Sequence, residues 1–458
     1  MIKAPPLLLP VLVWLMIVSC SQLDDDVSTS PNLQLALSTD TVRFDTLFTE
    51  RTSITKRLRI FNDNKEDLII DRIGLGAGND SFYKLIVNGK EGKEITGELL
   101  RGEDSLLVLI DVTIDPMNEN LPFLVKDSIE IQWNGNMTDV KLIAWGQDAI
   151  YLDAVALCDV VFTAERPYVI ERFLRVDSLC TWELEPGARV YLDNGASIEV
   201  LGKMIANGDS GNHVIFRNTR FDPGFLEAPG QWGGILFQPG SRDNRLSYTT
   251  IENAVTAIST RGVNDPSSRV QISIDHSIIR HMFGAGIQAF TSELDVSNTL
   301  IHNCGAFVVS VFVGGDYRFD HCTMTNQPNF FIREEPSFAF LDNLPGESFV
   351  DDLSLEITNS ILWGPEEEVF FLGNAGGAVI DTLVRNNIIK AADSLPGNFA
   401  SQEFNFPGFD RPFLFEYNLD SVAFARDRAP GSLIPDDIRG LLRDSIPDIG
   451  AYERFDGQ

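Results

Sequence analysis

The sequence predicts an all-β protein in two parts, an antiparallel β-sandwich followed by a parallel β-solenoid. Two observations carry this. From about residue 35 to 148, apolar residues alternate with polar ones at a period of two. Between 246 and 389 a six-residue pattern recurs: apolar, two residues, a small or polar residue, one residue, apolar.

The chain opens with an export signal. Lys3 and the free amine make a weakly positive start, and Leu7 to Val18 is apolar but for Pro10. A helix of that length would reach about 18 Å, short of the roughly 20 residues of a membrane span. Ile17-Val18-Ser19-Cys20 resembles the lipobox of bacterial lipoproteins. That resemblance implies cleavage before Cys20, lipid on its sulfur and new amino terminus, and a membrane partner held through several acyl chains. Residues 1–20 are therefore read as signal peptide and 21–34 as a polar, acidic tether without period. Asp24, Asp25 and Asp26 are similar to the signals of lipoproteins that some Gram-negative bacteria move to the cell surface. The expected location is the outer membrane, surface-exposed, with a periplasm-facing protein as the alternative.

Residues 35–150 make the sandwich. In "SLLVLIDVTID" the residues Leu106, Val108, Ile110, Val112 and Ile114 share one face, as in a half-buried strand. Asn134-Gly135 separates Ile129, Ile131 and Trp133 from Val140 and Leu142, and such a pair supplies both positive-φ positions of a tight hairpin. With "TVRFDTLF", "KRLRIFN" and "DLIIDRIGL", some seven strands in about 115 residues suggest an immunoglobulin-like sandwich. The segment resembles bacterial modules of the ASH type. Residues 151–182 are expected to be a junction and N-terminal cap, and Cys158 and Cys180 flanking it could be oxidised to a disulfide in an exported protein.

The solenoid is placed at 183–392. The six copies are Leu246-Thr249-Ile251, Ile274-Ser277-Ile279, Val296-Thr299-Ile301, Phe319-Cys322-Met324, Ile357-Ser360-Leu362 and Val384-Asn387-Ile389. The small position recurs at spacings of 28, 22, 23, 38 and 27 residues, a period that suits one rung of a coil whose strands stack on the next, burying apolar columns that no rung could bury alone. The longer spacings predict inserted loops at about 327–353 and 261–270. With "PGARVYLDNGASIEVLGKMIANG" and "QWGGILFQPGS" as earlier rungs, the stretch resembles the right-handed parallel β-helix proteins. Residues 393–458 are the C-terminal rung and cap. Asp437, Gly440, Arg443 and the block Pro447 to Glu453 resemble the ending of β-helix proteins of the choice-of-anchor Q kind, and this tail is expected to close the last rung, whose open edges would otherwise invite aggregation.

Function is less legible. The formal charge of −30 on 458 residues argues against nucleic acid, which needs a basic face. No metal-ligand spacing joins the cysteines and histidines, and no serine sits in a nucleophile elbow. His276 and His321 share a repeat position with Asn298, Asn359 and Asn386, a pattern of turn hydrogen bonding rather than of metal binding. No catalytic residue and no cofactor is assigned; calcium could meet the acids at 365–368 or Asp351-Asp352, though without a calcium motif. Trp232, Phe338, Phe340 and Trp363 fall near predicted loops and are candidate ring-stacking residues for a sugar. The expected role is a non-catalytic, lipid-anchored envelope module that binds a glycan or an envelope protein on the solenoid's flank. The rival, suggested by the fold, is a polysaccharide lyase or glycoside hydrolase, with Asp275, Asp295, Asp320 and the scattered Arg269, Arg280, Arg318 and Arg333 as candidates.

Overall fold

A computed structural model describes residues 27–262, 266–327, 336–344 and 349–455. The signal peptide, Cys20 and the aspartates at 24–26 lie outside the described residues, as does Arg333. The chain divides into two compact units, residues 1–147 and 148–458.

The first unit is an immunoglobulin-like sandwich of two five-stranded sheets, three strands more than the period alone suggested. One sheet orders Ala36–Leu37, Lys56–Asn62, Asp104–Val112, Tyr83–Val87 and Lys90–Gly92; the other orders Thr41–Phe48, Asn136–Gln147, Phe123–Trp133, Leu68–Leu75 and Glu94–Leu100. Leu106, Val108, Ile110, Val112 and Ile114 are buried on one face as their alternation predicts. Asn134 and Gly135 both have positive φ and join two antiparallel strands. The described part of the tether is not free. Leu33 and Leu35 pack against this core, Trp133 Nε1 donates to the Leu33 carbonyl at 2.9 Å, and Asn134 Nδ2 donates to the carbonyls of Ser28 and Ser30.

The second unit is a three-sided parallel β-helix. Each turn contributes one strand to each of three ladders: a first ladder of eleven parallel strands, from Ile150–Leu152 to Phe399–Ser401, and two others joined through the long strands Ile287–Ser297 and Val309–Asp320 into a sixteen-stranded sheet. The repeat read from sequence is a physical stack. Leu246, Ile274, Val296, Phe319, Ile357 and Val384 are successive register partners in the third ladder, and Ile251, Ile279, Ile301, Met324, Leu362 and Ile389 in the first. All but Val384 are at most 1% exposed, and each such burial stabilises by about 1.5–3 kcal/mol.

The small position between these columns turns the corner. Thr249 N donates to Ser277 Oγ, Cys322 N to Ser360 Oγ and Ser360 N to Asn387 Oδ1, so these three corners are each held by the side chain of the next rung. The residue just before it is left-handed in every copy: Tyr248, His276, Asn298, His321, Asn359 and Asn386 have φ between 43° and 59° with Tyr248 at 44°. Asn and His tolerate that conformation better than most residues, which accounts for the shared column.

Two boundaries move. Residues 151–182 are rungs and not a junction: Ile150–Leu152, Val155–Leu157 and Val160–Phe162 pair in parallel with Tyr168–Ile170, Phe173–Val176 and Thr181–Leu184. Their core is aromatic, with Phe162 stacked on Tyr168 and edge-on to Trp182, so the aliphatic pattern does not extend to them. The tail, for its part, lies along the flank of the first ladder. Leu300, Ile361, Trp363 and Ile388, on that ladder's outer side, pack against Phe409, Tyr417, Ile438, Ile449 and Ala451. The reason is that the outward positions of this ladder are themselves apolar and need cover.

Candidate functional site

Among the described residues the flank formed by the third ladder carries no such cover, and it holds a groove of about 600 Å³. Its strands alternate inward and outward, so the positions one before the stacked column form an outward row: Arg245, Ser273, Asp295, Arg318 and Glu356. A second row, two residues further back, holds Gln271, Glu293, Asp316 and Ser354. Five strands at about 4.8 Å spacing give a channel about 19 Å long running across the rungs.

The charges in it are organised. Arg318 fans across three carboxylates, with Nη1 at 3.7 Å from Asp295, Nη2 at 3.2 Å from Asp320 and Nε at 3.7 Å from Glu356. Arg269, mostly buried at the groove's edge, reaches Asp316 at 2.9 Å and Asp351 at 2.6 Å, and Arg242 reaches Glu293 at 3.0 Å. Tyr317 forms floor rather than wall: its hydroxyl is buried, donates to the Gly314 carbonyl at 3.0 Å, and is pushed up to about 12 by desolvation. Among the lining side chains Asp243, Glu293, Asp295, Asp316 and Glu356 outnumber Arg245 and Arg318, so the groove is acidic.

Of the carboxylates singled out in sequence, only Asp295 faces this groove. Asp275 and Asp320 follow the stacked column where Asp295 precedes it, and both turn into the corner. Burial works against the charge of Asp275, but hydrogen bonds from His276 and from Ser247 at 2.6 Å prevail and hold its carboxyl below the ordinary range. Asp320 is buried and accepts from Asn359 Nδ2 at 2.9 Å. Arg280 is paired with Glu252 in the first ladder. The groove residues missed in sequence (Glu293, Asp316, Glu356 and Arg245) are found by reading the columns before the apolar one.

The four candidate aromatics are corrected. Trp232, Phe338, Phe340 and Trp363 are at most 1% exposed and cannot stack on a ligand. Phe338 and Phe340 are inward residues of a strand stacked on Val309 and Val311. Trp232 sits in the solenoid core with Nε1 donating to the Glu252 carbonyl. Trp363 points outward but is covered by the tail, donating to the Phe404 carbonyl at 3.1 Å. Cys158 and Cys180 are joined in a disulfide, and Cys304 and Cys322 are free and buried. Four of the acids considered for calcium have other work: Asp351 pairs with Arg269, Glu366 accepts from Ser337, Glu368 accepts from the Ala392 amide, and Asp352 from that of Val379. Among the described residues no three His, Cys, Asp or Glu gather as a metal site.

The left-handed column has a second task, as the rail on which the tail docks. Arg443 donates to Asn298 Oδ1 at 2.9 Å and pairs with Glu453 at 3.0 Å, all three being buried. His276 Nε2 lies 3.3 Å from Asp436, His321 Nε2 lies 2.6 Å from Ser432 Oγ, and the Gly450 amide donates to the Asn359 carbonyl. Gly450 has a φ of 102°, and a Cβ there would come within 2.7 Å of Thr323 Oγ1. Asp437, Arg443, residues 447–451 and Glu453 are buried in this clasp, while Gly440 at its edge is exposed.

No protein-family model matches the chain, and no curated protein matches it. Among solved structures it is similar to the ASH / PapD-like domain 7 of human CEP192, at 13% identity over 28% of this chain and 96% of that one, TM-score 0.18. It is also similar to a family 123 glycoside hydrolase from Clostridium perfringens, at 7% identity over 26% of this chain and 30% of that one, TM-score 0.19. A protein of unknown function from Porphyromonas gingivalis W83 aligns at 13% identity over 27% and 59%, TM-score 0.19. At such similarity none of them bears on what this chain does.

Proposed function

We propose that this is a non-catalytic, lipid-anchored envelope protein whose third-ladder groove binds a glycan chain of neutral or amine-bearing sugars. One observation carries the reading: a solvent-open channel about 19 Å long, lined by five acids with Arg245 and Arg318 among them, on the flank the tail leaves bare. Its excess of carboxylates selects against uronates and favours hydroxyls or amines. Each carboxylate is open to water and held by an arginine or, for Asp243, by Lys203; none lies in the apolar, water-excluding pocket that a proton-donating acid requires. The lipobox at Cys20 and the Cys158–Cys180 disulfide support export to an oxidising compartment. Replacing Cys20 with Ala is expected to release the protein from the membrane fraction; unchanged fractionation removes the anchor.

The binding claim is tested by titrating the full chain with a glucosamine hexamer and with an oligogalacturonate, followed by product analysis. Binding of the amino sugar alone, without cleavage and lost in Asp295→Asn with Glu356→Gln, is the expected result. Cleavage of either oligomer would replace the module reading with the enzyme, and binding indifferent to those substitutions would remove the groove.

A further inference from the structure

The corner that follows the first ladder's early rungs holds a second cavity, of about 390 Å³. Ile170, Leu192 and Asn218 are successive register partners in that ladder. The first two are wholly buried aliphatic residues, and Asn218, only 2% exposed, breaks their column. Its Nδ2 donates to the Phe225 carbonyl at 3.2 Å, but its Oδ1 is buried with no hydrogen-bond partner. Such an oxygen is costly to leave, and this one belongs to a residue that lines the cavity. The next residue of each rung, Glu171, Asp193 and Thr219, lines it too. They are stacked by the Asp193 amide on the Ile170 carbonyl at 3.0 Å and the Thr219 amide on the Leu192 carbonyl at 3.2 Å. Gln231, whose carbonyl accepts from the Gly195 amide, completes the wall.

We propose that this corner binds a calcium ion. Its neutral side chains have oxygens to offer because their donor atoms are engaged. Asn218 Nδ2 is held as described, Gln231 Nε2 donates to the Pro229 carbonyl at 3.1 Å, and the Thr219 hydroxyl donates to Asp193 Oδ1 at 2.9 Å. Arg220 is the one cation in the lining, and Asp222 balances it through two hydrogen bonds at 3.0 Å. The carboxylates of Glu171 and Asp193 therefore set the charge, and two of them match a divalent ion. No aromatic side chain lines the cavity to stack on a sugar ring. Calcium accepts carboxylate, carboxamide and water oxygens in flexible geometry, whereas magnesium demands a near-ideal octahedron. With two acids and otherwise neutral oxygens the site is a weak one, in the range of about 10⁻⁴–10⁻³ M typical of extracellular calcium modules.

Calorimetric titration of the chelator-treated full chain with calcium chloride tests this. One saturable site in that range is expected, with magnesium about tenfold weaker or more. Asp193→Asn, which can still accept from Thr219, and Glu171→Gln are each expected to weaken binding about tenfold or more, since ligand charge tunes affinity. Asp295→Asn with Glu356→Gln, in the third-ladder groove, is expected to leave it unchanged, which separates this site from the general acidity of the chain. Hydrogen exchange gives a second reading: calcium is expected to slow exchange in residues 219–231 of the parent and not of Asp193→Asn. No saturable binding up to about 10 mM calcium, ten times the weak end of that range, overturns the proposal. So does binding that Asp193→Asn and Glu171→Gln leave intact, that the groove pair abolishes, or that magnesium matches.

Discussion

Two flanks of one solenoid share a backbone and differ in a single row of side chains. On the first ladder the outward row reads Thr250, Ile278, Leu300, Thr323, Ile361 and Ile388; on the third it reads Arg245, Ser273, Asp295, Arg318 and Glu356. The apolar row is covered by about fifty residues of tail (401–455), because exposed aliphatic side chains gain from burial at about 25 cal/mol per Å². The polar row stays in water and forms the groove. The lesson is that the inward columns set the coil while the outward rows assign each face its use: one stabilises, the other is free to bind.

The contrast is broken most severely at Arg443. Its guanidinium is held by Asn298 and Glu453 at the centre of the clasp, and burial lowers its affinity for its proton despite those partners. Arg443→Met strands a buried Glu453, and loss of one partner from a buried pair costs about 3–5 kcal/mol. Tail release, seen as rapid proteolysis within 401–455 while the rungs stay protected, is the expected result. A tail as resistant as the parent's would mean that the clasp does not hold it.

A smaller effect comes from pH. Four of the five histidines lie beneath the tail. Desolvation pushes His281 down to about 3 and holds His302 and His321 well below 6.5, helped by Arg280 for the first two and Arg443 for the third. The unfolded chain takes up these protons below pH 6.5 and the folded one does not. Their contribution is therefore present above 6.5 and lost as pH falls, by up to about 1.4 kcal/mol per pH unit for each histidine. Asp448 opposes them: burial raises it to about 6, so its contribution grows as pH falls from 6 towards 3.8. Three against one, the unfolding midpoint in urea is expected to drop between pH 7 and 5; a rise would reverse the assignment.

The smallest effect is expected on the bare flank. Asp295→Asn with Glu356→Gln removes two exposed partners of Arg318, and exposed pairs contribute about 0–1 kcal/mol. Stability should hardly move, whereas a loss above about 2 kcal/mol would make the groove a structural element like the clasp.

Much of this was legible in the chain. The stacked columns follow from a period that only a coil satisfies, and the two alternating phenylalanines at 338 and 340 could have been read as inward strand residues. The doubled apolar pairs Ile278-Ile279, Leu300-Ile301 and Ile361-Leu362 announced a covered face. What covers it was not legible. Trp363 is hidden by Phe404 and Phe406 from some forty residues on, and no local pattern reports such a contact. The first rungs were missed for another reason: aromatic stacking and a disulfide replace the aliphatic columns there. The groove was half seen, since Asp295 and Arg318 were named but their shared row needs the register.

Hydrogen exchange on the full chain, with and without saturating glucosamine hexamer, tests the division of flanks most directly. Slowed exchange confined to 243–247, 271–275, 293–297, 315–320 and 353–358, with the tail from 402 to 455 unchanged, is the predicted result. Protection in the tail, or none in those five strands, would contradict it.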